Sequence, residues 1–96
     1  MTLRERAMVF KALGHPARLE VVERLAEGEC CVCLLMELPE LKKLSGPTVS
    51  QHLLVLKKAG VLADEKRGKR VFYRLLMPCV AGITLCVAER ETTEVS

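Results

Sequence analysis

The most reactive side chains in this sequence are those of five cysteines, three of which lie together as Cys30, Cys31 and Cys33. Two thiolates two residues apart at the start of a helix can share one soft, thiophilic ion, and the helix start favours the thiolate form. Cys30 and Cys33 also have the Cys-x-x-Cys spacing, which allows them to oxidise to a disulfide. The cluster therefore predicts either a site for a thiophilic ion or a redox-sensing pair of thiols.

The other two cysteines, Cys79 and Cys86, lie in the predicted last helix. At a rise of about 1.5 Å per residue they are about 10 Å apart, beyond the ~7 Å that a disulfide spans between Cα atoms. They cannot pair with each other within one straight helix, but either could pair with the first cluster or supply it with a further sulfur. The alternative is that both are small buried hydrophobic residues, which free cysteine often is.

The length and composition of the chain limit the classes of protein to which it can belong. A chain of 96 residues, half of them hydrophobic, is enough for one small domain over residues 1–96 and favours self-association. The N-terminus has charges of both signs and no apolar segment typical of a signal peptide, and no stretch reaches the roughly 18 apolar residues of a membrane span. We therefore expect a cytoplasmic protein without a membrane partner, whose cysteines are thiols for metal or redox chemistry.

A group of short polar side chains lies on one predicted helix between Ser45 and Gly60. Ser45 is a suitable N-cap, Pro47 fits the first turn, and Gly60 fits the left-handed position after the helix end. Polar side chains on an exposed helix face, in a chain of net charge +3, suit base edges in the DNA major groove. The alternative is an ordinary amphipathic surface helix. The residues expected to contact bases and nearby phosphates are Thr48, Ser50, Gln51 and His52.

The periodicity changes after this helix. Residues 61–66 and 70–75 predict two strands joined by a turn centred on Gly68. A helix-turn-helix followed by a hairpin with a basic tip is typical of a winged helix, in which the wing cations lie along phosphates. The alternative is a solubilising charged turn. The cations expected to contact phosphates or the minor groove are Lys57, Lys58, Lys66, Arg67, Lys69 and Arg70.

The remaining chain predicts helices. Thr2 and Glu5 predict a capping box, Pro16 the start of a second helix, and residues 29–38 a short third helix that ends or bends at Pro39.

A last helix runs from Pro78 to about residue 90, and residues 92–96 form a frayed tail. The first and last helices carry more apolar surface than one packing face uses, which predicts that they form a dimer interface. The predicted fold is mainly α with a small β-hairpin: a dimeric winged helix-turn-helix with about five helices and a two-stranded wing.

Taken together, these elements resemble the ArsR/SmtB family of winged-helix repressors. The segments that carry the resemblance are residues 12–19, 28–35, 45–53, 56–62 and 68–75. The resemblance implies a homodimer that binds double-stranded, palindromic operator DNA and releases it when an inducer arrives. Two features depart from the family pattern: the segment between Cys33 and Pro47 is longer than usual, and Leu54 replaces a commonly polar residue.

The sequence around Cys31 and Cys33 is similar to the arsenic-sensing motif of this family, Glu-Leu-Cys-Val-Cys-Asp-Leu-Cys. These residues match its first two cysteines, whereas Met36 occupies the position of the third. The resemblance implies trivalent arsenic or antimony as inducer, and such a centre prefers three sulfurs. Gathering them would distort the helix that supports the recognition helix. The third sulfur would come from Cys30, Cys79 or Cys86.

Three alternatives stay open. The first is a repressor that senses oxidants or reactive sulfur through Cys30, Cys31 and Cys33 together with the two cysteines of the last helix. The second is a DNA-binding protein without a sensor. The third is a small Cys-x-x-Cys thiol oxidoreductase, which is disfavoured because no strand of a βαβ unit precedes the motif. A zinc-type site is not expected, since the last helix has no His, Asp or Glu before Glu89. We expect no enzyme activity and no constitutive cofactor.

Overall fold

A computed structural model describes residues 1–89 of the chain, so the predicted tail at 92–96 lies outside the described residues. The described residues form six helices and three strands. In chain order these are α1 (Leu3–Leu13), α2 (Pro16–Leu25), β1 (Cys30–Cys31), α3 (Val32–Leu35), α4 (Pro39–Lys42), α5 (Gly46–Lys58), β2 (Leu62–Arg67), β3 (Arg70–Leu75) and α6 (Pro78–Glu89).

The first two helices begin as their end signals predict. The hydroxyl of Thr2 accepts a hydrogen bond from the Glu5 amide at 3.1 Å, and the Glu5 carboxylate accepts one from the Thr2 amide at 2.7 Å. This confirms the capping box. At the start of α2, the Nδ1 atom of His15 accepts a hydrogen bond from the amide of Ala17 at 3.1 Å, one residue after Pro16. Local hydrogen bonding therefore fixes both helix starts.

The segment before α5 differs from the single short helix that we predicted. The chain forms β1, then α3, and begins a further helix at Pro39, which suits a first turn because it has no N–H to satisfy. The β1 strand pairs antiparallel with β3 through Cys30 opposite Tyr73 and Cys31 opposite Phe72. The wing is therefore a three-stranded sheet in the order β1-β3-β2 instead of a two-stranded hairpin.

The hairpin of β2 and β3 is close to the prediction. Its register ends with Arg67 opposite Arg70, which leaves Gly68 and Lys69 as the turn. Gly68 has a φ of 63°, a conformation that glycine adopts without a Cβ clash. The wing tip, which we define as residues 66–70, therefore projects as a tight turn.

The core is formed by leucine and valine side chains from nearly every element. In α5, Val49, Leu53 and Leu56 are each at most 2% exposed and form the buried stripe of the helix. Leu35 of α3 and Leu41 of α4 are fully buried in the same cluster. The short elements that contain and follow the cysteines therefore share one core with the predicted recognition helix.

Apolar side chains remain exposed on the two terminal helices. Phe10 in α1 is 59% exposed and Val87 in α6 is 68% exposed. Together with Leu13 and Ile83 they line an apolar groove of about 390 Å³ between α1, α2 and α6. An apolar surface of this kind marks an interaction site in a small domain. Within the described residues, the helices are too short or too polar to cross a membrane.

Candidate nucleic-acid interface and cysteine site

The start of α5 is held by the residues that we predicted as its cap. The Ser45 hydroxyl accepts a hydrogen bond from the Thr48 amide at 3.3 Å and lies 2.8 Å from the Thr48 hydroxyl. Thr48, Ser50 and Gln51 are exposed, as the prediction requires of base-contacting residues. Gly60 has a φ of 82° just past the helix end, which confirms its predicted position.

The prediction that His52 lies on the exposed side of α5 is wrong. Its side chain is only 8% exposed, and its Nδ1 atom accepts a hydrogen bond from Nε of Arg18 at 3.1 Å. Its ring centroid lies 4.2 Å from that of His15. Because His52 directly precedes Leu53, it lies at the edge of the buried stripe, where α2 supplies polar partners for it.

The environment of His52 disfavours the charged form of its ring. Burial lowers the pKa of His52, and the electrostatic interactions with His15 and Arg18 lower it further. His52 and Arg18 thus join α5 to α2 and hold the recognition helix on its support. Sequence reasoning missed Arg18 in this role because its partner lies 34 residues away.

Besides Arg67, the wing tip carries three exposed cations, Lys66, Lys69 and Arg70. Within residues 1–89 none of the three makes an ion pair. Lys57 is different: its Nζ atom lies 2.9 Å from Oδ1 of Asp64, and this contact raises the pKa of Lys57. Lys58 is exposed beside it.

Arg67 is also exposed at the wing tip but is already held by carboxylates. Its two terminal nitrogens each donate to one carboxylate oxygen of Glu29 at 2.6 Å. It also contacts Glu65 at 2.8 Å and lies 4.7 Å from the Phe72 ring centroid. These hydrogen bonds raise the pKa of Arg67 and lower that of Glu29. A phosphate contact by Arg67 would have to share or displace these partners.

Cys31 and Cys33 are joined as a disulfide, with Cα atoms 5.4 Å apart. The prediction that Cys30 pairs with Cys33 is wrong in this structure. Successive side chains of a strand point to opposite faces, so Cys30 turns away from Cys31 and is buried in the core. Its thiol donates weakly to the Cys31 carbonyl at 3.4 Å. Cys31 is buried, whereas Cys33 is exposed to reagents in solution.

The structure does not bring a third sulfur to this pair. Cys79 and Cys86 are free and exposed on α6 of the single chain, so they are not buried in its own core. Among residues 1–89 no three His, Cys, Asp or Glu side chains are grouped so that they could hold a metal ion. Reduction of the disulfide would provide two sulfurs, and a third sulfur requires movement or a second subunit.

Comparison with known proteins gives one consistent class. The family described as "Bacterial regulatory protein, arsR family" matches residues 15–64. An HTH-type transcriptional regulator of Methanocaldococcus jannaschii is 44% identical over 84 residues, which is 86% of this chain and 91% of that protein. An arsenic resistance transcriptional regulator of Pseudomonas putida is 44% identical over 71% of this chain. This chain spans about half of that protein, 52% of its length.

Solved structures agree with the sequence comparison. The transcriptional repressor BigR of Xylella fastidiosa matches with a TM-score of 0.72 and 33% identity, covering 97% of this chain and 90% of that chain. A homodimeric winged helix-turn-helix DNA-binding domain of Mycobacterium bovis matches with a TM-score of 0.78 and 27% identity, covering 94% and 83%. The winged helix-turn-helix prediction is therefore confirmed, and the oxidoreductase alternative is wrong. The chain belongs to the arsR family of bacterial regulatory proteins.

Proposed function

We propose that this protein is a homodimeric repressor that binds palindromic operator DNA and releases it when Cys31 and Cys33 bind a thiophilic inducer. Trivalent arsenic or antimony is the favoured inducer. The observation that carries the proposal is the direct contact of the two sulfurs at the β1–α3 junction, in a segment that shares its core with α5. The proposed site of action is the cytoplasm, where the DNA lies.

DNA binding is assigned to α5 and the wing tip. Thr48, Ser50 and Gln51 are exposed at the N-terminal half of α5, where a recognition helix reads base edges. The exposed cations of the wing tip add contacts to phosphates, which raise affinity without reading sequence. The residues proposed for these phosphate contacts are Lys58, Lys66, Lys69 and Arg70. Arg67 and Lys57 contribute only if they separate from their carboxylate partners.

The dimer is assigned to α1 and α6. Their exposed apolar side chains, including Phe10 and Val87, are unfavourable in water and gain from burial against a second copy. The homodimeric state of the Mycobacterium bovis domain supports this assignment. A two-fold dimer presents two recognition helices and therefore matches a palindromic operator.

The sensing chemistry requires the reduced protein. Reduction of the Cys31–Cys33 disulfide by a dithiol takes up two electrons and two protons and gives two thiols. Arsenous acid, As(OH)₃, then condenses with these thiols, forming two As–S bonds and releasing two water molecules. A third As–S bond releases the third water. Its sulfur comes from Cys30, from Cys79 or Cys86 of either subunit, or from a solution thiol.

Ion binding would release DNA because the pair lies where β1 turns into α3. Bringing a third sulfur to the ion displaces this junction, and Leu35 of α3 is packed in the core that also contains Leu53 and Leu56 of α5. Close-packed cores transmit such shifts because they hold few voids. The expected result is a change in the orientation of α5.

The operator is first selected from a random DNA pool by the protein itself and labelled with a fluorophore. The test then measures release of this DNA from the reduced dimer. Arsenite or antimonite is titrated against the wild type and against a C79S/C86S variant. Release of wild type at sub-stoichiometric to stoichiometric arsenite supports the proposal. Unchanged release in C79S/C86S assigns the third sulfur to a solution thiol or Cys30, whereas no release from wild type contradicts the arsenic proposal.

A second candidate function is redox sensing, favoured by the disulfide itself. A peroxide would accept two electrons from the two thiols, giving the Cys31–Cys33 disulfide and two water molecules. The same DNA-release assay distinguishes the two functions. Release by peroxide or persulfide, with no response of the reduced protein to arsenite, would select the redox sensor. Release by none of them would indicate a repressor without a sensor.

A further inference from the structure

The residue immediately before the cysteine cluster is tied to the wing. The Glu29 carboxylate accepts hydrogen bonds from two nitrogens of Arg67 at 2.6 Å each, across 38 residues of sequence. Two parallel hydrogen bonds between a guanidinium and a carboxylate fix both distance and orientation. Arg67 is the last residue of β2, directly before the turn of the wing tip. The contact therefore joins the cysteine segment to the part of the wing that carries the exposed cations.

The backbone provides a second connection at the same place. Cys31 is paired with Phe72 of β3, and Arg67 lies over the Phe72 ring. A movement of the Cys31 backbone is therefore transmitted to the wing in two ways: through the pairing of β1 with β3, and through the Glu29 side chain. Only Cys30 separates Glu29 from Cys31, so a disulfide or a bound ion at Cys31 and Cys33 lies close to Glu29 in the chain.

We propose that Glu29 is a positioning residue that couples the sulfur chemistry of Cys31 and Cys33 to the wing through Arg67. This inference rests on the function proposed above and names a second route of release, through the wing as well as through α5. In the structure, in which Cys31 and Cys33 form a disulfide, Glu29 holds Arg67 and fixes the position of the wing tip. Ion binding displaces β1, moves Glu29, and changes the position of the wing cations.

Glu65 provides a matched control. Its carboxylate also accepts hydrogen bonds from Arg67, at 2.8 and 3.2 Å, but it lies on β2 itself, two residues from Arg67. Replacing Glu65 with Gln changes the charge next to Arg67 as much as replacing Glu29 does. It leaves the connection to the cysteine segment intact.

The first test compares the reduced E29Q, E65Q and R67K variants. The readout is the ratio of the operator Kd with arsenite to the Kd without it, because a general charge effect changes both values alike and cancels. We expect the ratio to fall about five-fold or more in E29Q and R67K; a five-fold change is the lower end of typical coupling between two sites. In E65Q the ratio should stay near the wild-type value. An unchanged ratio in E29Q, or an equal fall in E65Q, would overturn the inference.

The second test needs no DNA and no arsenite. The Nη–H resonances of Arg67, which report its hydrogen bonds to Glu29, are measured by NMR before and after a dithiol reduces the Cys31–Cys33 disulfide. The Nε–H of Arg18, bonded to His52, is the internal reference. We expect a shift for Arg67 and none for Arg18 in wild type, and neither shift in C31S/C33S. If arsenite fails to release DNA from wild type, the proposed function fails and this test decides the coupling alone. An Arg67 resonance that does not move then overturns the coupling.

Discussion

The three exposed cations of the wing tip allow the most quantitative prediction for DNA binding. Lys66, Lys69 and Arg70 make no ion pair within residues 1–89, so they are available to phosphates. A dimer carries the set twice. Each phosphate contact contributes about 0.9 to the slope of log K against log salt concentration. We therefore expect the K66Q/K69Q/R70Q variant to lower that slope by up to about 5 units.

The assay is a series of anisotropy titrations between low and moderate salt, on the selected operator and on random DNA of equal length. The loss should be similar on both DNAs, because phosphate contacts do not read sequence. The free energy of unfolding should change little, since the three side chains hold no ion pair in the described residues. A variant with the wild-type salt slope would refute the assignment of the wing tip to phosphates.

Three further predictions follow from single side chains. Gln51→Ala should weaken operator binding by about 1–3 kcal/mol per half-site and leave random DNA unaffected; equal losses on both would show that Gln51 does not read bases. Leu41→Ala should lower the free energy of unfolding by about 2–5 kcal/mol in urea titrations, because the side chain is fully buried; a loss well below 1 kcal/mol would mean that α4 is not part of the core. The pKa of His52 in the folded protein is lowered from the ordinary histidine pKa of 6.5. As the pH falls below 6.5, the unfolded chain therefore takes up a proton before the folded protein does, and the stability present above pH 6.5 is lost. His52→Gln should therefore flatten the pH dependence of stability in that range, and an unchanged profile would contradict the account of its burial.

The helix ends and the hairpin are predictable from the sequence because their signals are local. Ser45 and Gly60 bound α5 through hydrogen bonding and backbone conformation within a few residues of the helix itself. Gly68 marks the turn of the wing in the same way. A helix-turn-helix followed by a basic hairpin predicted the winged helix-turn-helix fold, and the relatives confirm it.

The parts that sequence reasoning missed depend on long-range contacts. The strand β1 has two residues, too few to show an alternating pattern, and exists because β3 pairs with it. His52 was predicted on the exposed face because its partners, His15 and Arg18, lie more than 30 residues away, at the start of α2. The contact of Glu29 with Arg67 was not predicted, since nothing nearby in sequence indicates Arg67 as its partner.

The cysteine cluster was predicted in part. The sequence indicated that Cys31 and Cys33 act together, and the structure joins them. The pairing of Cys30 with Cys33 failed because the alternation of side chains along β1 turns Cys30 into the core. The spacing of the cysteines alone does not show which side chain faces the core, because that depends on the strand β1.

The most direct test of the account is the operator affinity of the reduced C31S/C33S variant with and without arsenite. Serine preserves the size of both side chains but removes the two soft sulfur ligands. We predict that the variant binds the operator as wild type does and that arsenite leaves its Kd unchanged, while the wild-type Kd rises by tenfold or more, about 1.4 kcal/mol. Release of C31S/C33S by arsenite at the wild-type concentration would contradict the central claim that these two cysteines control DNA binding.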